Sequence, residues 1–495
     1  MVTHSSFLGH PRKSQFFRSH LLWVGSFIAA FLAGCGGGSG TSSGLSGNTT
    51  VVVLASSTAN DQLVQFPLTL KNVTLTSQSG KTVTLFDGPL SAEYIHLNGN
   101  LEPLATVSVP QGIYTSASAG FDGTSPVCVG LDSSSRELLT DGAIDGDTGM
   151  PSVTVDLPQP ITVTGTAMGL VLNLQVSQSA PFSGACVKTL SVPVAPKFDL
   201  TPLIIAAQPT NSSNGKAVGL EGAIATVDAT GTQFTVSCPY GYWNGNPPTW
   251  QVSTNGSTVF QGIGSASGLS AGMPVDMDVA LQQDGSLMAT RVAVYDTDTT
   301  SLSLSSGQLL IANPSQSAVS ALTTQSVGDV SEMNDMFGYG NATFGVSNQF
   351  TNLRSLPFAA TFSADNEAAG QNVLTTSNAP LVNGFPPLPL PVTTMRLIPQ
   401  TINGTVGAVS TSGGFTIYTV TLAAYNLFPN LAARSEQLAL LTNPNTVVVY
   451  ADNNTQMLNS NSIGAGGVFR FYGLVFNDSG TLRMDCAQIR DGVAE

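Results

Sequence analysis

Hydrophobic and polar residues alternate along most of this chain, while helical periodicity is almost absent. Alternation places successive side chains on opposite faces of a strand, so the pattern predicts β-structure. Between Val51 and Leu200 the alternating runs are short, and turn residues separate them at intervals of about eight to twelve positions. The runs include 68–76, 82–86, 104–110, 152–157 and 161–178. This spacing predicts a β-sandwich domain over residues 50–200.

Beyond a polar linker at 208–216, the chain repeats itself. The segment 220–227 matches 402–409, and both are typical of glycine-punctuated first strands. An Ala-Gly pair precedes an extended run three times, at 271–272, 369–370 and 465–466. These motifs predict three barrel repeats, at 217–297, 300–400 and 401–495, the second of them degenerate. The predicted fold class is therefore all-β, an N-terminal β-sandwich followed by about three small OB-like β-barrel repeats.

The N-terminal residues have a different pattern. An apolar run from Leu21 to Ala33 follows the basic residues Arg12, Lys13 and Arg18 and leads into Cys35. The run is too short for a transmembrane helix, which needs about 20 residues. The arrangement resembles a bacterial lipoprotein signal peptide with its lipobox, Leu-Ala-Gly-Cys at 32–35. The resemblance implies a signal peptide over 1–34, lipid on Cys35, and a flexible Gly/Ser linker over 35–49.

The residue after the predicted lipidation site is Gly36, at a position where an inner-membrane retention signal often has Asp. By resemblance to that sorting rule, we expect a lipid-anchored protein of the bacterial cell envelope. The expected location is the outer membrane, on its periplasmic or cell-surface face. The membrane is thus an expected partner through the lipid anchor.

Two further motifs extend the resemblance. Pro110-Gln-Gly112 predicts a turn before Tyr114, whose ring should pack on the sandwich core, and this turn resembles prealbumin-like sandwich modules of bacterial surface lipoproteins. With the repeats, it makes the chain similar to bacterial lipoproteins that join an N-terminal sandwich domain of unknown function (number four-three-eight-two) to barrel repeats of unknown function (number five-six-six-six). The resemblance implies architecture and location, and it implies no reaction.

Composition narrows the possible partners. The chain has 16 Lys and Arg residues against 30 Asp and Glu residues, a formal net charge of −14. A nucleic-acid-binding protein needs clustered cations to displace counterions from phosphates, so we expect no nucleic-acid partner. Only 9% of the residues are charged, but a hydrophobic content of 42% argues against disorder.

The chain has only four histidines, and this scarcity argues against most classes of enzyme. His4, His10 and His20 lie in the predicted signal peptide, so a Ser-His-Asp site would have to use His96, and no Gly-x-Ser-x-Gly elbow accompanies it. The alternative is a hydrogen-bonded histidine at a strand end. No Cys-x-x-Cys pair or His cluster suggests zinc. We therefore expect a protein that is not an enzyme.

Paired carboxylates keep a carbohydrate hydrolase as the alternative, because such sites leave little trace in a sequence. The candidates are Glu93, Glu221, Asp276, Asp278 and Glu367. Asp276 and Asp278 occupy the polar phase of an alternating strand, so we expect them on a solvated face.

Two other kinds of site are possible. Asp141, Asp145 and Asp147 on a glycine-rich loop are oxygen ligands of the type that calcium prefers, although the EF-hand spacing is not met and an exposed acidic turn is the alternative. No other cofactor is expected. Export permits a disulfide between Cys128 and Cys186, with two buried thiols as the alternative and a Cys238–Cys486 bridge as a weaker one.

Aromatic residues on predicted loops are the candidate contacts for a ligand. They are Tyr240, Tyr242, Trp243, Trp250, Phe337, Tyr339, Tyr425 and Phe428. Exposed rings at a barrel rim suit stacking on sugars or docking a protein, and the alternative is that they cap barrels or fill contacts between domains. The sequence thus predicts a lipid-anchored, non-catalytic envelope protein, whose tandem domains are a spacer and a binding surface for a polysaccharide or protein partner. The alternatives are a carboxylate-based carbohydrate hydrolase and a structural component of an envelope assembly.

Overall fold

The computed structural model describes residues 45–58, 63–124, 127–128, 130–131, 138–139, 152–180, 194–205, 215–238, 241–243, 249–299, 303–313, 318–327, 335–347, 355–379, 389–423, 426–432, 441–458 and 462–491. Strands make up nearly all of the regular structure, which confirms the all-β prediction. Residues Ser46–Glu495 form one compact unit. No helix in the described ranges is both long enough and apolar enough to cross a membrane.

The described N-terminal residues form thirteen strands, a 3-10 helix at Ile95–Leu97 and the helix α1 (Val176–Ser179). The strands are β1 (Asn48–Ser57), β2 (Leu63–Gln65), β3 (Pro67–Ser77), β4 (Thr82–Glu93), β5 (Glu102–Pro110), β6 (Gly112–Thr124), β7 (Val127–Cys128), β8 (Gly130–Leu131), β9 (Leu138–Leu139), β10 (Ser152–Val155), β11 (Ile161–Val163), β12 (Ala167–Leu174) and β13 (Phe198–Leu203). One sheet has the order β13-β12-β1-β5 and the other β10-β6-β3-β4, with β11 also paired to β6. Two small sheets pair β2 with β7 and β8 with β9.

The two larger sheets enclose a common core, as in a β-sandwich. Tyr114 belongs to this core and is only 2% exposed, and its hydroxyl donates to the Pro110 carbonyl oxygen at 2.9 Å. The prediction that this ring packs on the core is confirmed.

The first barrel contains β14 (Lys216–Val227), β15 (Gln233–Ser237), β17 (Thr249–Ser253), β18 (Val259–Gln261), β19 (Pro274–Leu281) and β20 (Leu287–Val294). The strand β16 (Gly241–Trp243) and a 3-10 helix at Ala266–Gly268 lie in its connections. The order is β17-β15-β14-β19-β20-β18, and a parallel pairing of β17 with β20 closes five of these strands into a ring. A meander whose fourth strand returns beside the first is a Greek key, so this is a small Greek-key barrel of OB-like type.

The other two barrels follow in the chain. The second contains β21 (Ser303–Asn313), β22 (Ala318–Val327), β23 (Asp335–Gly338), β24 (Thr343–Val346), β25 (Asn372–Ser377), β26 (Leu390–Pro391) and β27 (Thr394–Leu397). The third contains β28 (Gln400–Ser412), β29 (Phe415–Leu422), α2 (Leu427–Ala432), β30 (Thr446–Ala451), β31 (Gln456–Leu458), β32 (Val468–Asp478) and β33 (Thr481–Asp491). The third has the strand order of the first and closes through a parallel pairing of β30 with β33.

The second barrel keeps the same plan with an interrupted last strand, because β26 pairs with β23 and β27 pairs with β25. The repeated Ala-Gly motifs show the equivalence of the three barrels directly. Gly272, Gly370 and Gly466 all have positive φ, at 89°, 95° and 85°, immediately before β19, β25 and β32. Their N–H groups donate to the carbonyl oxygens of Ile224, Leu309 and Val406 respectively. A left-handed turn that glycine adopts readily thus begins the fourth strand of every repeat.

The domains share hydrophobic contacts. In β1, Val51 and Val53 belong to the sandwich core, whereas Val52 and Leu54 pack with the core of the first barrel. Its uninterrupted apolar sequence is typical of a strand covered on both faces. Strand β16 leaves the first barrel and pairs with β4, so it adds a strand to a sandwich sheet.

Candidate functional site

A cleft with a volume of about 150 Å³, lined by both polar and apolar residues, lies where the sandwich and the three barrels meet. The sandwich contributes the segment after β4, and the first barrel contributes β14. The second contributes β21 and the turn before β25, and the third contributes β28, β32 and the start of α2. One lining residue from each domain, in chain order, is Asn98, Glu221, Asn372 and Thr401. The cleft therefore exists only when all four domains are packed together.

Glu93 shapes the sandwich side of the cleft. Its carboxylate accepts hydrogen bonds from the backbone N–H groups of Phe66, Ile95 and His96, at 2.8, 2.6 and 2.9 Å. It thus satisfies the amides at the start of the 3-10 helix Ile95–Leu97. The helix ends at Asn98, whose φ of 36° lies in the left-handed region.

His96 lies between two carboxylates. Its Nε2 is 3.0 Å from Oε1 of Glu102, and its Nδ1 is 3.4 Å from Oε2 of Glu93. Burial opposes the charge on the imidazole, but Glu102 and Glu93 outweigh burial and raise the pKa of His96 to about 10. The ring is therefore an imidazolium at neutral pH. This geometry supports the structural alternative for His96, since an imidazolium cannot accept a proton.

Two arginines of the third barrel bind the segment after this helix. Nη1 of Arg470 donates to the carbonyl oxygen of Asn98 at 2.8 Å. Arg490 donates to the carbonyl oxygen of Gly99 at 2.9 Å and to Oδ1 of Asn100 at 2.5 Å. Burial and the neighbouring Arg470 lower the pKa of Arg490 to about 10, so Arg490 stays charged at neutral pH. These bonds fix the sandwich side of the cleft to the third barrel.

Glu221 lies on the first-barrel side. Its Oε1 accepts hydrogen bonds from the hydroxyls of Tyr295 at 2.9 Å and Tyr472 at 3.4 Å. Burial, together with the charge of Glu221, raises the pKa of both tyrosines well above the ordinary value. Both hydroxyls therefore remain donors, and Glu221 connects the first barrel to the third.

Side-chain amides line the opposite side. Oε1 of Gln400 accepts from the N–H of Asn372 at 2.9 Å, and its Nε2 donates to the Gly370 carbonyl oxygen at 3.0 Å. Nδ2 of Asn372 donates to the carbonyl oxygen of Pro399 at 3.2 Å. The amide oxygens of Asn98 and Asn372 are buried, and the described residues provide neither with a hydrogen-bond donor.

Asp276 and Asp278 contradict the expectation of a solvated face. They are 0% and 3% exposed, and Arg291 bridges them, with Nη2 at 2.8 Å from Asp276 and Nε at 3.0 Å from Asp278. Burial raises the pKa of Asp276 to about 7 despite the charge of Arg291. Burial also opposes ionisation of Asp278, but Arg291 outweighs it and lowers that pKa. The strand alternation is right, but neighbouring domains cover the outer face of β19.

Four of the eight predicted aromatic contacts are also buried. Trp250, Phe337, Tyr339 and Phe428 are at most 9% exposed, so the expectation that they are exposed rings is wrong. Trp250 donates from Nε1 to the carbonyl oxygen of Pro103 at 3.1 Å, across the contact between the first barrel and the sandwich. These rings instead fill cores and contacts between domains, which was the alternative. Of the four, Phe428 lines the cleft.

The remaining predicted residues have different outcomes. Tyr242 and Trp243 lie in β16, whose backbone pairs with the sandwich, while Tyr240 and Tyr425 lie outside the described residues. Cys35, Cys186, Asp141, Asp145 and Asp147 also lie outside them, so lipidation, the Cys128–Cys186 disulfide and calcium binding stay predictions. Cys238 and Cys486 are both buried, and the structure does not join them in a disulfide, so the prediction of a bridge between them is wrong. Within the described ranges, no group of three or more His, Cys, Asp or Glu residues could hold a metal ion.

Sequence patterns missed the amides and arginines of the cleft. Asn98-Gly99 is a turn signal, which indicates the left-handed end of the helix but not what faces it. Arg490, almost four hundred positions later, gives no sequence signal that it binds this turn.

The first barrel is similar to a known protein family. The profile of a family described as Domain of unknown function (DUF5666) matches residues 221–293. This range runs from β14 to β20, so the first barrel is similar to that family. A search of curated proteins found no match to the chain.

Proposed function

We propose that this chain is a lipid-anchored, non-catalytic protein of the bacterial cell envelope. Its β-domains act as a spacer and form a binding surface for a polysaccharide or protein partner. The observation that supports this proposal most is that the carboxylates around the cleft already accept hydrogen bonds from other groups of the chain. Glu93 binds three backbone amides, Glu102 binds His96, and Glu221 binds two tyrosine hydroxyls. A glycoside hydrolase needs one carboxyl group to donate a proton and another to attack or to activate water, so this engagement favours binding over turnover.

The membrane attachment in this proposal depends on Cys35. The formal net charge of −14 offers no attraction to an anionic membrane surface, so lipid must supply the attachment. Each buried methylene of an acyl chain contributes about 0.8 kcal/mol. The glycine-rich linker then lets the β-domains stand clear of the bilayer, at the outer membrane.

A carbohydrate hydrolase is the second candidate, because Glu102 and Glu221 both line one cleft. An experiment separates the two candidates. The full-length chain, solubilised in detergent, is applied to polysaccharide arrays and assayed for release of reducing sugar. Capture without release supports the proposal. Release that disappears in Glu102→Gln or Glu221→Gln would replace it with the hydrolase, and stable copurification within an envelope complex would favour the structural-component alternative.

A further inference from the structure

We infer that two copies of this chain associate through an open strand edge of the third barrel. The open edge is residues 407–412 of β28, and it pairs with the same edge of a second copy, antiparallel and about a two-fold axis. This pairing does not depend on the proposed function, because none of these residues lines the cleft.

The open edge exists because β28 continues past the strand beside it. Residues 400–405 of β28 pair with β32, and Val406 exchanges backbone hydrogen bonds with Gly466 and Gly467 on the same side. A bulge at Gly407 follows, where β28 leaves this neighbour. Among the described residues, 408–412 pair with β29 alone. All of residues 407–412 are exposed.

The tip of the hairpin keeps the open edge regular. Gly413 and Gly414 have φ of 60° and 87°, as the two central residues of a type I′ turn require, and this turn matches the twist of the two strands. Ser412 pairs with Phe415 directly before and after the turn. Every second residue of an antiparallel strand directs its N–H and C=O groups away from its partner. Along the open edge these groups can accept another strand.

The sheet around the open edge lacks the usual protection against such pairing. Proteins commonly place Lys or Pro on an exposed edge. Strands β28, β29 and β30 contain no charged residue and no proline, although the chain has 30 acidic residues. A two-fold axis brings identical residues together, so a charge on this edge would repel its own copy. An uncharged edge of Ala, Val, Ser and Thr is therefore self-complementary.

The equivalent strand of the first barrel is protected. Strand β14 ends at Val227, two residues after its own bulge, and Thr226 is its one exposed residue. Asp228 follows directly, and its carboxylate accepts hydrogen bonds from the Thr230 hydroxyl and the Gln233 N–H. A charged, folded turn thus stands where the third barrel has its open edge, so the barrel fold itself does not require such an edge.

Pairing of two open edges joins β30, β29 and β28 of both copies into one six-stranded antiparallel sheet. Six residues from each copy form a smaller contact than the roughly 800 Å² per partner of a stable interface. We therefore expect a weak dimer whose population rises with protein concentration.

Disulfide trapping on the full-length chain in mild detergent tests the geometry. The variants are Ala408→Cys, Val409→Cys, Ser410→Cys and Thr411→Cys. Because a two-fold axis places one residue opposite its own copy, one of them should form far more cross-linked dimer than the variants beside it. Ile113→Cys is the matched control, since Ile113 is 41% exposed against 44% for Val409, but its strand β6 has partners on both sides. The unmodified chain reports cross-linking by native cysteines.

Sedimentation over a range of protein concentrations tests the association itself. Val409→Lys should abolish the concentration-dependent dimer, and Ile113→Lys should leave it unchanged. Circular dichroism confirms folding, and Thr411→Lys replaces Val409→Lys if that variant fails to fold. A single cross-linking maximum on the open edge, together with loss of the dimer in the Lys variant, supports the inference. A chain that stays monomeric, a dimer that Val409→Lys leaves intact, or cross-linking of the edge only to a different protein overturns it.

Discussion

At the scale of single residues, the most informative side chains are buried acids without a full set of partners. Glu367 is 2% exposed, and its Oε2 has no hydrogen-bond donor among the described residues. Burial raises its pKa to about 8, although a hydrogen bond from Tyr339 acts in the opposite direction. Tyr339 was predicted to contact a ligand, but in the structure it is buried and hydrogen-bonded to Glu367.

Glu367 should make stability depend on pH. Because its pKa in the folded chain exceeds the ordinary value of 4.5, its contribution is fully present below about pH 4.5 and is lost as the pH rises through about 8. Glu367→Gln should therefore stabilise the chain at about pH 9 by on the order of 2 kcal/mol, with little gain at about pH 4. Urea denaturation at both pH values measures this difference. Asp365→Asn, an exposed neighbour, is the control, and the prediction fails if both variants behave alike.

The local sequence correctly predicted whether some side chains are buried, but it was wrong for others. Tyr114 followed from a turn motif next to it in the chain, so local sequence was sufficient. Asp276, Asp278 and Trp250 look exposed in the sequence because their neighbours in the chain are polar or lie in a loop. Their burial depends on other domains, which local sequence does not record.

At the scale of elements, the matched segments 220–227 and 402–409 have a steric explanation. A Cβ atom at Gly404 would lie 2.5 Å from the carbonyl oxygen of Thr421, and one at Gly222 would lie 2.6 Å from that of Ser237. In both barrels the first two strands approach too closely for a side chain. The matching glycines of these strands therefore indicate that the two barrels share the same close approach of their first two strands.

This contact predicts a difference between two glycines of β28. Gly404→Ala should destabilise the chain by about 1–3 kcal/mol, because the backbone of β29 has to move. Gly407→Ala is the control, since the nearest atom to its Cβ would be the Thr419 carbonyl oxygen at an ordinary 3.5 Å. Thermal unfolding of both variants measures the difference, and equal midpoints would contradict the close approach.

The ion pairs of Arg291 with Asp276 and Asp278, on the outer face of β19, lead to a second prediction about stability. Arg291→Met leaves two acids buried beside each other, so we expect a loss of about 3–5 kcal/mol. Replacing Asp276 and Asp278 by Leu in the same variant should restore most of this loss. Lys71→Met is the control, because the Lys71–Asp122 pair is exposed and should contribute less than about 1 kcal/mol. Denaturant titration distinguishes these cases, and no recovery in the triple variant would contradict the account.

At the scale of the whole molecule, the domains are joined by shared cores and by buried polar bonds. Val52 and Leu54 connect the sandwich to the first barrel, and Arg396 of the second barrel binds Asp296 at 2.8 Å. Leu474 and Phe476 of the third barrel lie in the core of the second. Such coupling predicts one cooperative unfolding transition in calorimetry. Well-separated transitions for individual domains would contradict it.

The sequence predicted the domain types better than their assembly. Alternation and the Ala-Gly repeats depend on contacts within one domain, and these led to the all-β class and the repeated barrels. The pairing of β16 with the sandwich sheet depends on residues well over a hundred positions apart in the chain. The cleft between the four domains depends on residues almost four hundred positions apart. No periodicity records such contacts, so only the structure identified the cleft.

We propose that a lipid on Cys35 holds this chain in the cell envelope. Mass spectrometry of the chain extracted from bacterial membranes tests it most directly. We predict a mature amino terminus at Cys35 that carries acyl chains. An unmodified chain that begins at Met1 and is recovered from the soluble fraction would contradict it.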